Sequence, residues 1–388
     1  MHFLVILPCI LAPALATTGQ RLNGLAPLLE PLGEAIPGSY IVKLRDSSST
    51  ASLRQALSTT TGIVEHVYSN TFQGFSAKLD DTALQRLRHR SEVDFIEHDA
   101  VASINGYVVQ PEAPWGIARI SHRRAGNTSY VYHGSAGQGT CSYVIDTGIE
   151  DSHPEFGGRA HQIKSFVNGS TDGNGHGTHV AGIIGSQSYG VAKKTAIYGI
   201  KVLDDGGSGS YSSIIAGMDF VSRDARLRKC PNGAMANMSL GGGYSKSINA
   251  AAAALVRSGV FVTVSAGGDN SDAAGFSPAS EPSVCTVGAT TLSDNRASSS
   301  NFGDLVDVFS PGHNIKSTWI KGGTNTLSGS SMSAGHITGL GSYLATLEGH
   351  PGAQELCQRI QALATRNVLG NIPSGTQNLL AFNGNPAG

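Results

Sequence analysis

The feature that most limits the folds open to this 388-residue chain is an alternation that begins near Tyr107. Short apolar runs, each long enough for one buried strand, are separated by glycine-rich turns and by segments whose apolar residues recur at helical spacing. The strand-like runs are residues 143–145, 198–203, 234–240, 260–264 and 284–288, and the helical patterns are residues 179–184, 212–228, 248–257 and 332–347. This alternation predicts an α/β domain with a mainly parallel sheet, helices on both faces, and chemistry at the carboxyl ends of the strands.

A smaller pattern precedes it, over residues 40–104. Strand-like stretches are found at residues 40–44, 72–79 and 93–97, and helical patterns at residues 49–58 and 81–90. We interpret the whole as a strand–helix–strand–strand–helix–strand order, which predicts a small α+β unit. This segment holds no cysteine and no evident catalytic cluster.

The composition excludes several classes of function. Only 14% of the residues are charged and 40% are hydrophobic, so the chain should fold rather than stay disordered. The formal net charge is −1, and no basic field for binding nucleic acid is present. Beyond the N-terminal segment, no stretch reaches the roughly 18 apolar residues of a transmembrane helix, so we expect no membrane span.

The N-terminus is typical of a secretory signal peptide. An apolar run from Phe3 to Leu11 is followed by Ala14 and Ala16 in a small-x-small cleavage pattern. The positively charged region is weak, and a buried strand or a short anchor is the alternative interpretation. We predict a signal peptide over residues 1–16 and a secreted protein.

The cysteine count fits that compartment. Cys9 would leave with the signal peptide, and an even number of cysteines in an oxidising environment favours two disulfides. Their pairing is open among three possibilities. The four cysteines that remain are Cys141, Cys230, Cys285 and Cys357.

Three polar residues stand where such a sheet would carry its chemistry. Asp146 follows the first strand-like run, while His176 and Ser331 each open a helical pattern. Taken singly they have ordinary explanations, since an aspartate after a strand is usually a turn residue and a serine at a helix start is usually an N-cap. His176 and His179 could suggest a metal pair, but the H-E-x-x-H pattern of zinc peptidases is absent.

Together the three residues predict a nucleophilic serine. A serine hydroxyl needs an imidazole to accept its proton, and the imidazole needs a carboxylate that fixes its tautomer and stabilises its charged form. A helix that begins at Ser331 adds free backbone N–H groups where negative charge would develop. The order aspartate, histidine, serine differs from that of the α/β-hydrolases, and no glycine-rich phosphate-binding motif occurs.

The sequence around these positions resembles the subtilisin-like serine peptidases, most closely the proteinase K branch of secreted fungal enzymes. The resemblance runs from Ala113 nearly to the C-terminus and is densest at residues 137–149, 201–205, 214–220, 239–244 and 277–289. It implies that Ser331 is the nucleophile, His176 the general base and then acid, and Asp146 the orienting carboxylate. It also implies protein and peptide substrates and a monomeric enzyme.

The resemblance implies which residues form the substrate cleft, and because none of the pocket residues it names is charged, we expect a hydrophobic or aromatic preference. Tight turns alone are the alternative explanation for Gly207 and Gly267. The pocket for the residue before the scissile bond would be flanked by Ser239, Leu240, Gly241, Ser265, Ala266 and Gly267. The strand that pairs with an extended substrate would be Gly207, Ser208 and Gly209.

The resemblance further implies that the chain is a zymogen. Residues 17–106 would be a propeptide, whose ferredoxin-like folded part at residues 40–104 assists folding and then inhibits the enzyme. Residues 107–388 would be the peptidase domain, with the cut near residues 105–108.

A structural calcium ion is likewise implied. Its ligands would be the carbonyls of Pro282 and Val284 and the carboxylate of Asp307, oxygen ligands that suit a hard cation. Asp307 as an ordinary turn residue is the alternative. A second site of the family is not expected, because Val368 stands where it needs an aspartate.

Two kinds of covalent modification are expected. Asn127 and Asn168 begin glycosylation motifs in probable-turn sequence, whereas Asn237 begins one inside a predicted buried strand and is discounted. The positions of matching cysteines imply the disulfides Cys141–Cys230 and Cys285–Cys357.

Two positions depart from the family pattern. Gly268 stands where the family has an asparagine whose side chain donates to the oxyanion, which leaves the backbone N–H of Ser331, with Asn270 or water as possible substitutes. In subtilisin, a relative, losing this donor lowers turnover by about 10²–10³-fold. Gly335 stands in the position of a family proline, and glycine within a helix costs roughly 0.5–1 kcal/mol relative to alanine.

Two functions are therefore open at the level of sequence. The first is a secreted endopeptidase that is slower than its relatives. The second is a protein of the same fold with weak or no catalysis that binds peptides or an inhibitor. The intact Asp146, His176 and Ser331, together with a complete propeptide, favour the first.

Overall fold

The structure is a computed structural model, and it describes residues 24–31, 35–58, 60–100 and 106–388. The predicted signal peptide, residues 1–16, and residue 105 of the predicted cleavage region lie outside the described residues. The chain divides into two compact units, Met1–Ile104 and Asn105–Gly388, called here the N-terminal and the C-terminal unit. No described helix is both long enough and apolar enough to cross a membrane.

The N-terminal unit is a five-stranded sheet in the order β1-β5-β2-β4-β3, with two helices. From β2 onward its elements follow the predicted strand–helix–strand–strand–helix–strand order. Strand β3, for which no bounds could be predicted, is an edge strand with mostly exposed side chains, so burial leaves little pattern in it. The elements are β1 Leu28–Leu29, β2 Ala35–Leu44, α1 Thr50–Ser58, β3 Ile63–Tyr68, β4 Gly74–Lys78, α2 Asp81–Arg88 and β5 Val93–Ala100.

The C-terminal unit alternates strands and helices, as predicted. The elements of its first half are β6 Tyr107–Gln110, α3 Trp115–Ile120, β7 Tyr130–His133, β8 Cys141–Asp146, β9 Ala160–Ser165, α4 His176–Gly185, β10 Ala196–Lys201, α5 Tyr211–Leu227 and β11 Ala234–Met238. Those of its second half are β12 Gly242–Gly243, α6 Lys246–Arg257, β13 Val260–Ser265, β14 Phe276–Ser277, β15 Cys285–Thr290, β16 Val308–Pro311, β17 Ile315–Trp319, β18 Gly323–Leu327, α7 Ser330–Glu348, α8 Ala353–Leu363, β19 Thr365–Arg366 and β20 Leu379–Leu380.

Nine strands of this unit form one sheet in the order β19-β20-β16-β15-β13-β11-β8-β10-β9. All of its pairs are parallel except β19–β20, which is antiparallel. Strand β8 lies between β10 and β11, well inside the sheet. The carboxyl end of β8, where Asp146 lies, is therefore flanked by the carboxyl ends of two further strands.

Helices cover both faces of the sheet, which explains why its central strands β8, β11 and β13 are buried at every residue. Alternate residues of β8 point to opposite faces. Tyr143 and Ile145 belong to a core cluster that contains residues of α5 and α6, whereas Val144 belongs to a cluster with Val180 of α4 and Met332 of α7. The predicted α/β architecture is confirmed.

Two predicted strands end earlier than the sequence suggests. Val202 and Leu203 lie beyond β10, and both donate their backbone N–H to the carbonyl of Asp146, at 2.9 and 3.2 Å. Ser239 and Leu240 likewise lie beyond β11. These residues are as buried as strand residues, so their hydrophobicity extends the strand pattern into segments that turn away to line the site.

Candidate active site

The three predicted catalytic residues lie on elements that converge at the carboxyl edge of the large sheet. Asp146 is the last residue of β8, His176 is the first residue of α4, and Ser331 is in the first turn of α7. The end of β11 is tied to α7 because the hydroxyl of Ser239 donates to the carbonyl of Ser331, at 2.8 Å. The fold thus brings together three segments that are up to 185 residues apart in sequence, from position 146 to position 331.

Glycine at position 175 allows α4 to begin where it does. Its φ of 105° lies in the left-handed region, and a Cβ there would lie 2.5 Å from the ring of Trp319. Only glycine satisfies both conditions without strain. His176 therefore leaves a tight turn directly into the first helical position.

The imidazole of His176 is oriented by Asp146. Nδ1 of His176 lies 2.7 Å from Oδ1 of Asp146, and the Asp146 side chain is fully buried while that of His176 is 26% exposed. The same oxygen accepts the backbone N–H of Thr147, at 2.7 Å. Within the described part of the chain, Oδ2 of Asp146 has no hydrogen-bond partner.

Two opposing effects set the proton affinity of His176. Burial lowers its pKa, but the charge of Asp146, the hydrogen bond to it and the charge of Asp172 outweigh burial, so the net shift is upward. His179, one turn along the helix, is different: burial lowers its pKa to about 4, so it is neutral at physiological pH. We therefore assign His179 no part in proton transfer. Its Nε2 lies within hydrogen-bond distance of the backbone carbonyls of Ile315 and Asn325, at 3.0 and 3.1 Å.

The hydroxyl of Ser331 donates to the carbonyl of Ser239, at 3.2 Å. Within the described residues, the Ser331 hydroxyl forms no other hydrogen bond, and in particular none to His176. The hydroxyl must leave the carbonyl of Ser239 before it can donate its proton to an imidazole. Catalytic hydrogen bonds that form only with substrate bound are common in enzymes without ligand.

Ser330 joins the start of α7 to the loop after β13. Its hydroxyl donates to the carbonyl of Gly267, at 3.0 Å, and lies 3.2 Å from the N–H of the same residue. Gly267 itself must be glycine, since its φ is 106° and a Cβ would lie 2.3 Å from Nδ2 of Asn301. This arrangement holds the segment that carries Gly268 next to the first turn of α7.

Gly268 is exposed, and no heavy atom lies within 4 Å of where its Cβ would be. Its φ is not in the left-handed region, so the backbone would accept any residue. The sequence suggested Asn270 as a substitute donor, but in the structure its side-chain oxygen accepts from Arg296 at 2.9 Å. Asn301 further fixes the loop by accepting the N–H of Asp269 and donating to the carbonyl of Ala266, both at 2.9 Å.

The other predicted cleft residues fall into two groups by exposure. Ser239, Leu240, Ser265 and Ala266 are buried next to the sheet edge, whereas Gly241 and the loop Gly207–Ser208–Gly209 are exposed. In that loop, Ser208 accepts the backbone N–H of Asp204 at 2.8 Å, which holds it as a tight turn. A Cβ on Gly209 would lie 2.2 Å from the carbonyl of Val202, so close backbone packing also requires glycine there.

Both implied disulfides are present. Cys141 and Cys230 are joined at 2.03 Å, and Cys285 and Cys357 at 2.01 Å. Asn127 and Asn168 are exposed, whereas Asn237 is fully buried, in agreement with discounting its motif.

Asp307 is a partly buried carboxylate next to the second disulfide. It accepts the backbone N–H of Thr286 at 2.8 Å and the side-chain amide of Gln361 at 3.2 Å. No basic side chain within the described ranges forms an ion pair with it, and burial raises its pKa to about 6. A cation would supply the missing counter-charge, so the carboxylate fits the implied calcium ion.

Comparison with known proteins identifies the family. A model described as the subtilase family matches residues 137–372, a range that includes Asp146, His176 and Ser331. This chain belongs to the subtilase family. A second model, described as peptidase inhibitor I9, matches residues 39–105.

Characterised subtilases resemble this chain over almost its full length. Subtilisin-like serine protease AsES of Sarocladium strictum is 56% identical over 94% of both chains, and the cuticle-degrading protease of Metarhizium anisopliae is 56% identical over 98% of both. Proteinase R of Parengyodontium album is 54% identical over 96% of this chain and 95% of its own. The predicted enzyme class, a serine endopeptidase, is confirmed.

A solved structure supports the fold in the same way. The crystal structure of a cold adapted subtilisin-like serine proteinase superposes with a TM-score of 0.66 and 40% identity, over 70% of this chain and 98% of that chain. The predicted subtilisin-like fold is confirmed.

Some residues that shape the site gave no signal in the sequence. Thr147, Asp172 and Asn301 act through hydrogen bonds to backbone groups, and such bonds produce no periodic pattern. Asp172 could have been suspected, because an aspartate a few residues before a helix is a common capping residue.

Proposed function

We propose that this subtilase hydrolyses peptide bonds through an acyl-enzyme on Ser331, with His176 as general base and acid and Asp146 as orienting carboxylate. The observation that carries the proposal is the 2.7 Å hydrogen bond between a fully buried carboxylate and a partly exposed imidazole beside the first turn of α7. A buried carboxylate that holds Nδ1 leaves Nε2 facing the cleft as the acceptor.

The reaction then follows from the positions of these groups. The Ser331 hydroxyl turns from the Ser239 carbonyl to His176, gives up its proton to Nε2, and Oγ attacks the substrate carbonyl carbon. His176 returns the proton to the leaving amine as the C–N bond breaks. Water, deprotonated by the same imidazole, hydrolyses the ester and regenerates the serine.

We further propose that turnover is attenuated by Gly268. The negative oxygen of the tetrahedral intermediate would receive the backbone N–H of Ser331 at the start of α7, where the helix dipole also favours negative charge. Gly268 contributes no side-chain donor, and Asn270 is held by Arg296. The substrate preference should be hydrophobic or aromatic, because the segments Ser239–Gly241 and Ser265–Gly267 bring no charge to the pocket.

The test is activity of the secreted protein on a chromogenic peptide with a hydrophobic residue before the scissile bond, beside Ser331→Ala and Gly268→Asn. Activity equal to that of Ser331→Ala would overturn catalysis and favour the alternative, a subtilase that only binds peptides or an inhibitor. Recovery in Gly268→Asn would identify the missing donor. Covalent labelling of Ser331 by a serine-directed phosphonate gives a second readout that does not depend on turnover.

The region that matches peptidase inhibitor I9 supports a zymogen. We propose that it inhibits the peptidase intramolecularly until the chain is cut near residues 105–108, and that the protein is secreted after removal of residues 1–16. Mass spectrometry of the secreted protein should find an N-terminus in that range for the wild type and an uncut chain for Ser331→Ala. Identical N-termini would contradict self-cleavage.

Calcium would be held by Asp307 with the carbonyls of Pro282 and Val284, and its role there is to neutralise a buried charge. Without it, the fold favours the protonated carboxyl, since the pKa of Asp307 is raised to about 6. Stability should then decrease as pH rises from the ordinary aspartate pKa of about 4 through 6. Chelator should lower the melting temperature at pH 8, and Asp307→Asn should remove that response; an unchanged response would refute the site.

A further inference from the structure

A second buried carboxylate, Asp172, lies in the loop that precedes α4 and is only 7% exposed. It belongs to none of the residues to which a catalytic role was assigned. Five hydrogen bonds converge on its two oxygens, which is more than any other carboxylate near the site receives. They come from Thr147, Asn174, Gly175 and both the backbone and the hydroxyl of Thr178.

These bonds complete the N-terminus of α4. The first N–H groups of a helix have no partner within the helix. Here Asn174 accepts the N–H of His176 through its side chain at 3.2 Å, Thr147 accepts that of Gly177 at 3.0 Å, and Asp172 accepts that of Thr178 at 3.0 Å. The turn that carries the imidazole is therefore fixed by side chains at three successive residues.

Thr147 connects Asp172 to the catalytic carboxylate. Its hydroxyl donates to Asp172 at 2.9 Å, and its own backbone N–H donates to Oδ1 of Asp146 at 2.7 Å. The hydroxyl accepts the N–H of Gly177 at the same time. One residue thus joins the end of β8 to the start of α4, and Asp172 fixes the direction in which its hydroxyl donates.

We propose that Asp172 is a positioning residue for catalysis, which holds Thr147 and the first turn of α4 so that the imidazole of His176 stays on Asp146, and whose negative charge stabilises the imidazolium formed during proton transfer. The inference rests on the proposed role of His176. Asp172 would therefore act in two ways, by holding the turn through hydrogen bonds and by its negative charge. Variants that remove one without the other separate these two contributions.

Two carboxylates, Asp146 and Asp172, supply the charges that act on the His176 imidazole. Asp146 faces it from β8 and Asp172 from the preceding loop, and both raise its pKa against the effect of burial, while His179 on α4 is neutral. Lys201 of β10 is fully buried, donates to the carbonyl of Thr147 at 2.8 Å and is paired with Asp205 at 2.7 Å. The positive charge behind Thr147 is therefore already balanced, and Asp172 adds a net negative charge on the imidazole side.

The test compares Asp172→Asn with Thr147→Val and Thr147→Ser in the secreted, active-site-titrated enzyme. Asp172→Asn removes the charge and should lower the pH midpoint of the acid limb of kcat/KM by on the order of half a unit. It should also lower kcat by about tenfold, because an amide group now faces N–H donors and the imidazole is less well held. Thr147→Val should lower kcat to a similar degree without moving the acid limb, and Thr147→Ser should recover most of that loss.

Wild-type kcat and a wild-type acid limb in Asp172→Asn would overturn the proposal. If Asp172→Asn is not secreted in folded form, the threonine pair decides, since equal kcat in Thr147→Val and Thr147→Ser would also overturn it. Failure of the underlying function is distinguishable, because in that case the wild type itself would show no activity beyond that of Ser331→Ala.

Discussion

The two sides of the candidate active site differ in how firmly their residues are held. On the proton-transfer side, Asp146 is fully buried, and the imidazole of His176 rests on a carboxylate that is itself fixed by a backbone N–H. On the oxyanion side, Gly268 is exposed, and the space where a side chain would project is empty of protein atoms to 4 Å. In the mechanism proposed above, the difference means that the general base is held by several hydrogen bonds, whereas stabilisation of the developing charge would rely on backbone N–H groups.

The two sides would lower the activation free energy in different ways. Groups that orient the imidazole act before the reaction begins, so their hydrogen bonds cost nothing further in the transition state. Oxyanion donors act only in the transition state, and removing one therefore lowers kcat directly.

The largest effect is expected from Asp146→Asn. An amide at this position holds the wrong tautomer of His176, and the same change in an unrelated serine protease with this triad lowers kcat about 10⁴-fold. Steady-state kinetics with active-site titration measure it. Asp219→Asn, which removes an exposed carboxylate on α5 that forms an ion pair with Arg223, is the matched control. A loss below tenfold would show that the carboxylate does not orient the base.

The next effect is a gain. Gly268→Asn should raise kcat by up to about 10²-fold, since it restores a donor for the oxyanion where backbone and space both permit it. Gly268→Ala fills the same space without a donor and should leave kcat near the wild-type value. If both variants behave alike, the gap at this position is not what limits turnover.

The pH dependence separates the two sides. The raised pKa of His176 means that the imidazole takes up its proton, and loses its function as a base, at a pH above the usual histidine value of about 6.5. The acid limb of kcat/KM on an uncharged peptide should have its midpoint above that value and fall as pH decreases. Gly268→Asn should raise the curve without moving the midpoint. A midpoint below 6 would contradict the electrostatics described for this side.

The smallest effect is expected from Gly335→Ala in α7. Alanine favours a helix by roughly 0.5–1 kcal/mol over glycine, but here its Cβ would lie 3.3 Å from the side chain of Ile183 on α4. The two terms oppose each other, so the change in unfolding free energy should stay below about 1 kcal/mol. Chemical denaturation measures it. A large loss would show that glycine is needed for the close packing of α4 on α7, the two helices that carry the imidazole and the nucleophile.

Much of the fold could be read from the sequence because burial leaves a pattern. Strand β8 is buried at every residue and is mostly apolar, with Ser142 and the terminal Asp146 as its polar residues, and helix α5 shows its buried Ile214, Met218 and Val221 at helical spacing. Strand β3 of the N-terminal unit could not be delimited, since its side chains are mostly exposed. A periodic pattern of apolar residues indicates contact with a core, and an edge strand such as β3 makes little such contact.

The parts of the candidate site that could be predicted are the residues whose side-chain type is itself diagnostic of a reaction. Asp146, His176 and Ser331 were recognisable by their order and by the helix starts around them. The engagement of Asn270 with Arg296 was not, because it depends on which loops meet in space. The same holds for Asp172, whose five partners come from residues 147, 174, 175 and 178.

The sequence by itself determined the class of chemistry, the alternation of strands and helices, and the absence of a side-chain amide at position 268, since these depend on residue identity and local spacing. Only the tertiary structure decided that the side-chain oxygen of Asn270 is bound by Arg296 and that the turn carrying His176 is fixed at three successive N–H groups. Hydrogen bonds between distant segments are directional and short, and their partners are set by the packing of the whole sheet rather than by any stretch of the chain.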